Sequence, residues 1–186
     1  MKSMKPKVLV FTVSAAIATA ATVVLFALRG AYPDRAVFLP LAVTALTFAY
    51  HLDMRLLVGV LILPLTPRFD PRARWFRPRA GELRLYRFLR VRFWRSRVPT
   101  FRPALFDPAQ RSWAEIARNM CCAEVVHTVI AVLSYVPLLF IIPFGEPVVF
   151  LVTSVLSSLL DVGFIMVQRA NRPALLRLLD RAEQQK

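Results

Sequence analysis

The chain has 186 residues, 57% of them hydrophobic, with a formal net charge of +14. That is more apolar than a soluble domain of this length, whose share lies nearer about 45–50%, and the excess falls in blocks. The composition therefore argues against an ordinary soluble fold and for an integral membrane protein, and the blocks taken in chain order predict an all-α protein with about four transmembrane helices.

The first block is the run Val8 to Leu28 behind Lys2, Lys5 and Lys7. It is long enough to span a bilayer, and its length favours a retained span over a cleaved signal peptide. Ala36 to Leu65 follows and has two readings. It is one span using part of its length, or a short hairpin turning at His51, Asp53 and Arg55. Residues 1–66 thus form an N-terminal membrane region.

Residues 67–106 form a basic interfacial segment between the apolar blocks. From Arg68 to Arg102 it holds twelve arginines against two acids, Asp70 and Glu82. Pro67, Pro71, Pro78, Pro99 and Pro103 forbid one continuous helix, and the spacing predicts a helix over Glu82–Arg97. Arginines among aromatic rings suit the headgroup layer, so anionic membrane lipids are the expected partner and nucleic acid is not.

Residues 107–172 hold a helix and a C-terminal hairpin. Asp107 is read as the N-cap and Pro108 as the first helical residue. Spans of about 124–143 and 147–167 are joined by "FGEP". The remainder, 173–186, reads as an amphipathic tail along the membrane surface, reached through a turn at "QRANRP". The positive-inside rule sets the basic segment and the C-terminus in the cytoplasm, and "FGEP" outside.

Three ionisable residues enter the second half's apolar runs, where they are costly and carry functional hypotheses. Glu124 and His127 share a helix face at a spacing of three. They are either a polar collar at the bilayer surface or a catalytic pair, in which neutral His accepts a hydroxyl proton and the carboxylate orients the ring. Asp161 lies 15–16 positions beyond the hairpin turn, so its antiparallel partner is near Ile130, less than one turn from His127. Cys121 and Cys122 are adjacent and offer no disulfide framework or metal spacing. They read as small helix residues, with juxtamembrane palmitoylation as the alternative. No metal or cofactor motif is present.

Four stretches together resemble the glycosyl-4,4′-diaponeurosporenoate acyltransferase family, small bacterial membrane proteins of staphyloxanthin-type carotenoid synthesis. They are "YPDR" (Tyr32 to Arg35), "VRFWRSRVP" (Val91 to Pro99), "AEVVH" (Ala123 to His127) and "VQRANRPALLRLL" (Val167 to Leu179). The resemblance implies acyl transfer from a donor such as acyl-CoA to a hydroxyl of a membrane glycolipid, without cofactor. It raises Glu124, His127, Gln168, Arg169, Asn171 and Arg172 as site residues, among which His127 is expected as the base and Glu124 as its orienting partner. Arg169 and Arg172 would bind the donor's phosphates or the headgroup, with Gln168 and Asn171 beside them; Asp161 in its apolar run and Trp94 and Arg92 in the basic segment are expected as further substrate contacts on their own positions. Asn171 as a cap of the final helix is the structural alternative. Trp94 would anchor the basic segment or pack on a sugar. The chain departs from the family at Asn119, Cys122, Asp161 and Ala170, which leaves the acceptor open. The competing function is a non-catalytic protein that holds anionic lipid or a partner through the arginine-rich segment.

Overall fold

A computed structural model describes residues 6–95, 98 and 103–184. Lys2 and Lys5, and Arg97 and Pro99 at the end of the tryptophan-centred stretch, lie outside them. Among the described residues every regular element is helical. Seven α-helices can be followed: α1 Pro6–Ala31, α2 Phe38–Ile62, α3 Ala80–Phe88, α4 Val91–Trp94, α5 Trp113–Leu133, α6 Ile141–Phe144 and α7 Pro147–Gln184. Four apolar stretches, Val8–Ala31, Phe38–Arg68, Trp113–Phe144 and Pro147–Gln184, are long and apolar enough to cross a membrane. The architecture is that of a multi-pass membrane protein.

The chain divides into two compact units, Met1–Gly59 with Ile130–Leu160, and Val60–Val129 with Asp161–Lys186. The first unit exposes the side chains that lipid solvates well. Val23, Leu57, Ile142, Val148 and Leu160 are all exposed. Its interior is small and polar in places. Tyr50 donates to the Leu133 carbonyl at 2.8 Å, Arg55 donates to Ser157 at 2.9 Å, and Ser157 lies 3.0 Å from Ser134. Asp53 accepts from Thr19 at 2.7 Å. These partners explain why α2 is one helix and not a hairpin: its charged residues are satisfied from neighbouring helices, so no turn is needed to release them. The turn between α6 and α7 is made by Gly145 and Glu146, both at positive φ (69° and 51°). Before it, α5 stops at Leu133 and gives way to a 3-10 turn, Val136–Phe140, whose first turn holds Pro137. A proline there removes a helical N–H.

The second unit holds the basic segment. The expected helix over Glu82–Arg97 is broken in two, with Arg90 in the left-handed region (φ 50°, ψ 40°). The break follows from burial. Tyr86 and Val91 are both buried, yet five residues along a straight helix would turn them roughly 140° apart. The indole N–H of Trp94 donates to the Leu89 carbonyl at 2.9 Å and occupies an acceptor that the break leaves open.

Two further boundaries differ from expectation. Helix α5 begins at Trp113, not at Pro108, because Ser112 and Glu115 form a capping box. The Glu115 N–H donates to Ser112 Oγ at 3.3 Å, and the Ser112 N–H donates to Glu115 Oε2 at 2.9 Å. Such a reciprocal cap satisfies two end groups that a lone aspartate cap would not. Asp107 instead closes a turn through the Ala109 N–H at 2.9 Å. Helix α7 continues through Pro173 to Gln184, with no turn at "QRANRP". The lost hydrogen bond is offset by packing on both sides of the proline. Arg172 is fully buried, and Leu175 joins Ile116, Ala117 and Met120 in a core that Phe106, Trp113 and Leu176 cover. Near the helix end, Arg72 bridges Asp180 at 2.7 Å and Glu183 at 2.9 Å.

Candidate active site

All three ionisable residues of the sequence reading lie in the second unit, and they sort into two ensembles. Helix α5 carries His127 and α7 carries Asp161, and their side chains meet, with His127 Nδ1 and Asp161 Oδ1 2.7 Å apart. Asp161 is 1% exposed, whereas the His127 side chain keeps 23% of its surface. A buried carboxylate at Nδ1 favours the tautomer with the proton on that nitrogen, which leaves the lone pair on Nε2. The ring is held flat against Phe164, at 4.3 Å between centroids and 5° between planes. Phe164 lies three residues after Asp161, on the same helix face. Together the carboxylate and the phenyl ring favour one tautomer and hold the plane of an imidazole that stays part-exposed.

The second ensemble is closed. Glu124, 1% exposed, receives Arg169 Nη1 at 2.6 Å and Arg172 Nη2 at 2.5 Å. Arg169 then turns its Nε and Nη2 to the two carboxylate oxygens of Glu82, at 2.8 and 3.1 Å. This is the bidentate fork that a planar guanidinium offers. The same side chain donates to the carbonyls of Trp75 at 3.2 Å and Arg77 at 3.3 Å. Arg172 donates to the Phe76 carbonyl at 2.7 Å, and its guanidinium lies 5.0 Å from the Phe76 ring centre. Two carboxylates and two guanidiniums balance. The basic segment is thereby pinned to α5 and α7 through Trp75, Phe76, Arg77 and Glu82.

The electrostatics of the cluster's outer edge agree. Burial pushes the Glu82 carboxyl up, but the Arg169 guanidinium beside it outweighs that, and the group lies below its ordinary value. Tyr86 donates to Glu82 at 3.2 Å. Its phenol is pushed up to about 12, first by burial and then by the neighbouring Glu82 charge.

These contacts revise several expected roles. The carboxylate against His127 is that of Asp161, while the buried Glu124 carboxylate is compensated by two arginines. Asp161, expected as a substrate contact, lies against the imidazole. Arg172 is fully buried by protein groups, and Arg169 is committed to two carboxylates, so neither guanidinium is open to a donor's phosphates. Asn171 lies inside α7, where its Oδ1 accepts from Arg95, so it is no helix cap. Trp94 spends its N–H on the α3–α4 bend. Gln168 is half-buried and Arg92 is exposed. Cys121 and Cys122 are buried, which removes them as acylation sites. Among the described residues no three His, Cys, Asp or Glu side chains converge as metal ligands.

Sequence reasoning passed over Glu82 and Phe164. Glu82 had a signal, as one of two acids in a segment of twelve arginines. Phe164 had only its spacing from Asp161.

One family model, described as glycosyl-4,4′-diaponeurosporenoate acyltransferase, matches residues 72–181, more than half of the chain. The match covers most of the basic segment, both polar ensembles and most of α7. No curated protein and no solved structure matches the chain.

Proposed function

From the chain's place in the glycosyl-4,4′-diaponeurosporenoate acyltransferase family, to which it belongs, we propose that it moves an acyl chain from an activated donor to a hydroxyl of a membrane glycolipid. His127 is the general base and Asp161 its positioning partner. The observation that carries this reading is the 2.7 Å contact between them, on an imidazole that remains part-exposed. In the reaction, His127 Nε2 takes the proton of the acceptor hydroxyl as its oxygen attacks the acyl carbonyl carbon. The new C–O ester bond forms, and the bond from that carbon to the donor's leaving group breaks. The imidazolium, stabilised by the Asp161 carboxylate, returns the proton to the leaving thiolate or alkoxide. A thioester such as acyl-CoA suits this chemistry, since the thiol leaves readily. The acceptor brings a sugar hydroxyl on an apolar stem.

The positive-inside rule favours a cytoplasmic basic segment, hence a cytoplasmic site. Residues 67–106 then serve as the interfacial segment between the N-terminal spans and the C-terminal hairpin. A second reading, a lipid-binding protein without catalysis, draws on the exposure of Trp75, Phe88 and Phe93 among the arginines.

The test is acyl transfer by purified protein to a glycolipid acceptor. His127→Ala and His127→Gln should each lower the rate by about 10²–10⁴-fold. Transfer at the wild-type rate by either variant would remove His127 from the mechanism. A wild-type protein without transfer that still binds anionic liposomes would favour the second reading.

A further inference from the structure

The bend between α3 and α4 does more than bury two side chains. Arg87, Arg90, Arg92 and Arg95 all line one cavity of about 320 Å³, over a floor that includes Tyr86 and Val91. On a straight helix Arg87 and Arg92 would point roughly 140° apart. The left-handed backbone at Arg90, a conformation that a non-glycine residue adopts only when its surroundings enforce it, gathers them. Among the described residues no carboxylate lines this cavity. The nearest acid in sequence, Glu82, is already occupied by Arg169. Arg95 is tied to the neutral Asn171, so its charge is not cancelled. Arg87, Arg90 and Arg92 are exposed.

We infer that this cavity binds a phosphate group of the ligand, the role that the sequence reading gave to Arg169 and Arg172. Guanidiniums pair with phosphate oxygens through two parallel hydrogen bonds, and an apolar floor under a basic rim suits an amphiphile with an anionic head. Ala170 lines the same cavity and lies nine residues after Asp161 on α7, about 13 Å along the helix. A donor whose phosphates sit in the cavity must therefore reach His127 through an extended arm. In this form the inference rests on the acyl-transfer reading. The phosphate belongs either to a soluble nucleotide-bearing donor or to a lipid headgroup.

Two binding measurements separate these sources. Protein in phosphatidylcholine nanodiscs is titrated with coenzyme A, and detergent-solubilised protein is titrated with phosphatidylglycerol vesicles. Arg87→Gln with Arg92→Gln should weaken one of the two by about tenfold or more. The control pair, Arg84→Gln with Arg177→Gln, removes equal charge outside the cavity and should change neither by more than about threefold. Loss in the coenzyme A arm supports the cavity with a soluble donor; loss in the vesicle arm supports it with a lipid head. Unchanged affinity in both arms, or an equal loss in the control pair, overturns it. Because binding is read without turnover, a wild-type protein that transfers no acyl group but loses coenzyme A on the cavity substitution would sink the catalytic reading and keep the anion site.

Discussion

The two ensembles of the second unit start three residues apart on α5 and end on the same helix, yet they are built to opposite plans. Around Glu124, two carboxylates meet two guanidiniums, and backbone carbonyls absorb further donors. Around His127, one buried carboxylate meets one nitrogen of a part-exposed ring. The first arrangement is charge-closed and holds the basic segment in place. The second leaves part of the ring uncovered, the feature on which the proposed proton transfer rests. A polar residue in an apolar helix is thus distinguished by what completes it: Glu124 is matched by charge, while His127 meets one carboxylate and keeps part of its ring exposed.

The substitutions that would break this contrast can be ranked. Glu124→Gln leaves two guanidiniums facing each other across a buried amide, and should cost about 3–5 kcal/mol of stability. Chemical denaturation in detergent measures it, and a loss below about 1 kcal/mol would mean that the cluster is not closed as described. Arg172→Lys keeps the charge but cannot reach Glu124 and the Phe76 carbonyl with one planar fork, so about 1–3 kcal/mol should go. Acid should act next. Glu82 has a folded value below its unfolded one, so its contribution is present above the ordinary carboxylate range and is lost as pH falls through the folded value. Glu82 is partly exposed, so this should amount to about 1 kcal/mol or less. It should vanish in Glu82→Gln, seen as a flatter acid limb of stability against pH. Tyr86 gives the smallest effect at neutral pH. Its raised value, about 12 against 10, leaves stability intact below pH 10 and lowers it as pH rises from there towards 12. Tyr86→Phe should remove that alkaline limb.

Much of the fold was legible because bilayer-spanning helices announce themselves by length and apolarity. The failures share one cause. Whether Ala36–Leu65 turned at His51–Arg55 depended on Thr19 and Ser157, distant in sequence. Whether α7 survived Pro173 depended on Leu175 packing against α5. The break at Arg90 depended on Tyr86 and Val91 sharing one buried side. At the site, hairpin counting brought Asp161 within a turn of His127, because antiparallel register is nearly fixed by a tight turn. The partners of Glu124 lie 45 and 48 residues away. At a spacing of three, His127 was the nearer candidate on paper, but only the side-chain directions show that Glu124 turns to the arginines.

The most direct measurement is the rate of acyl transfer by Asp161→Asn beside its thermal midpoint in the same detergent. The amide keeps the shape of the carboxylate but no longer stabilises the imidazolium or fixes the tautomer. The account predicts a rate lower by about 10²–10⁴-fold, with a midpoint within a few degrees of wild type. A variant that transfers at the wild-type rate would contradict it.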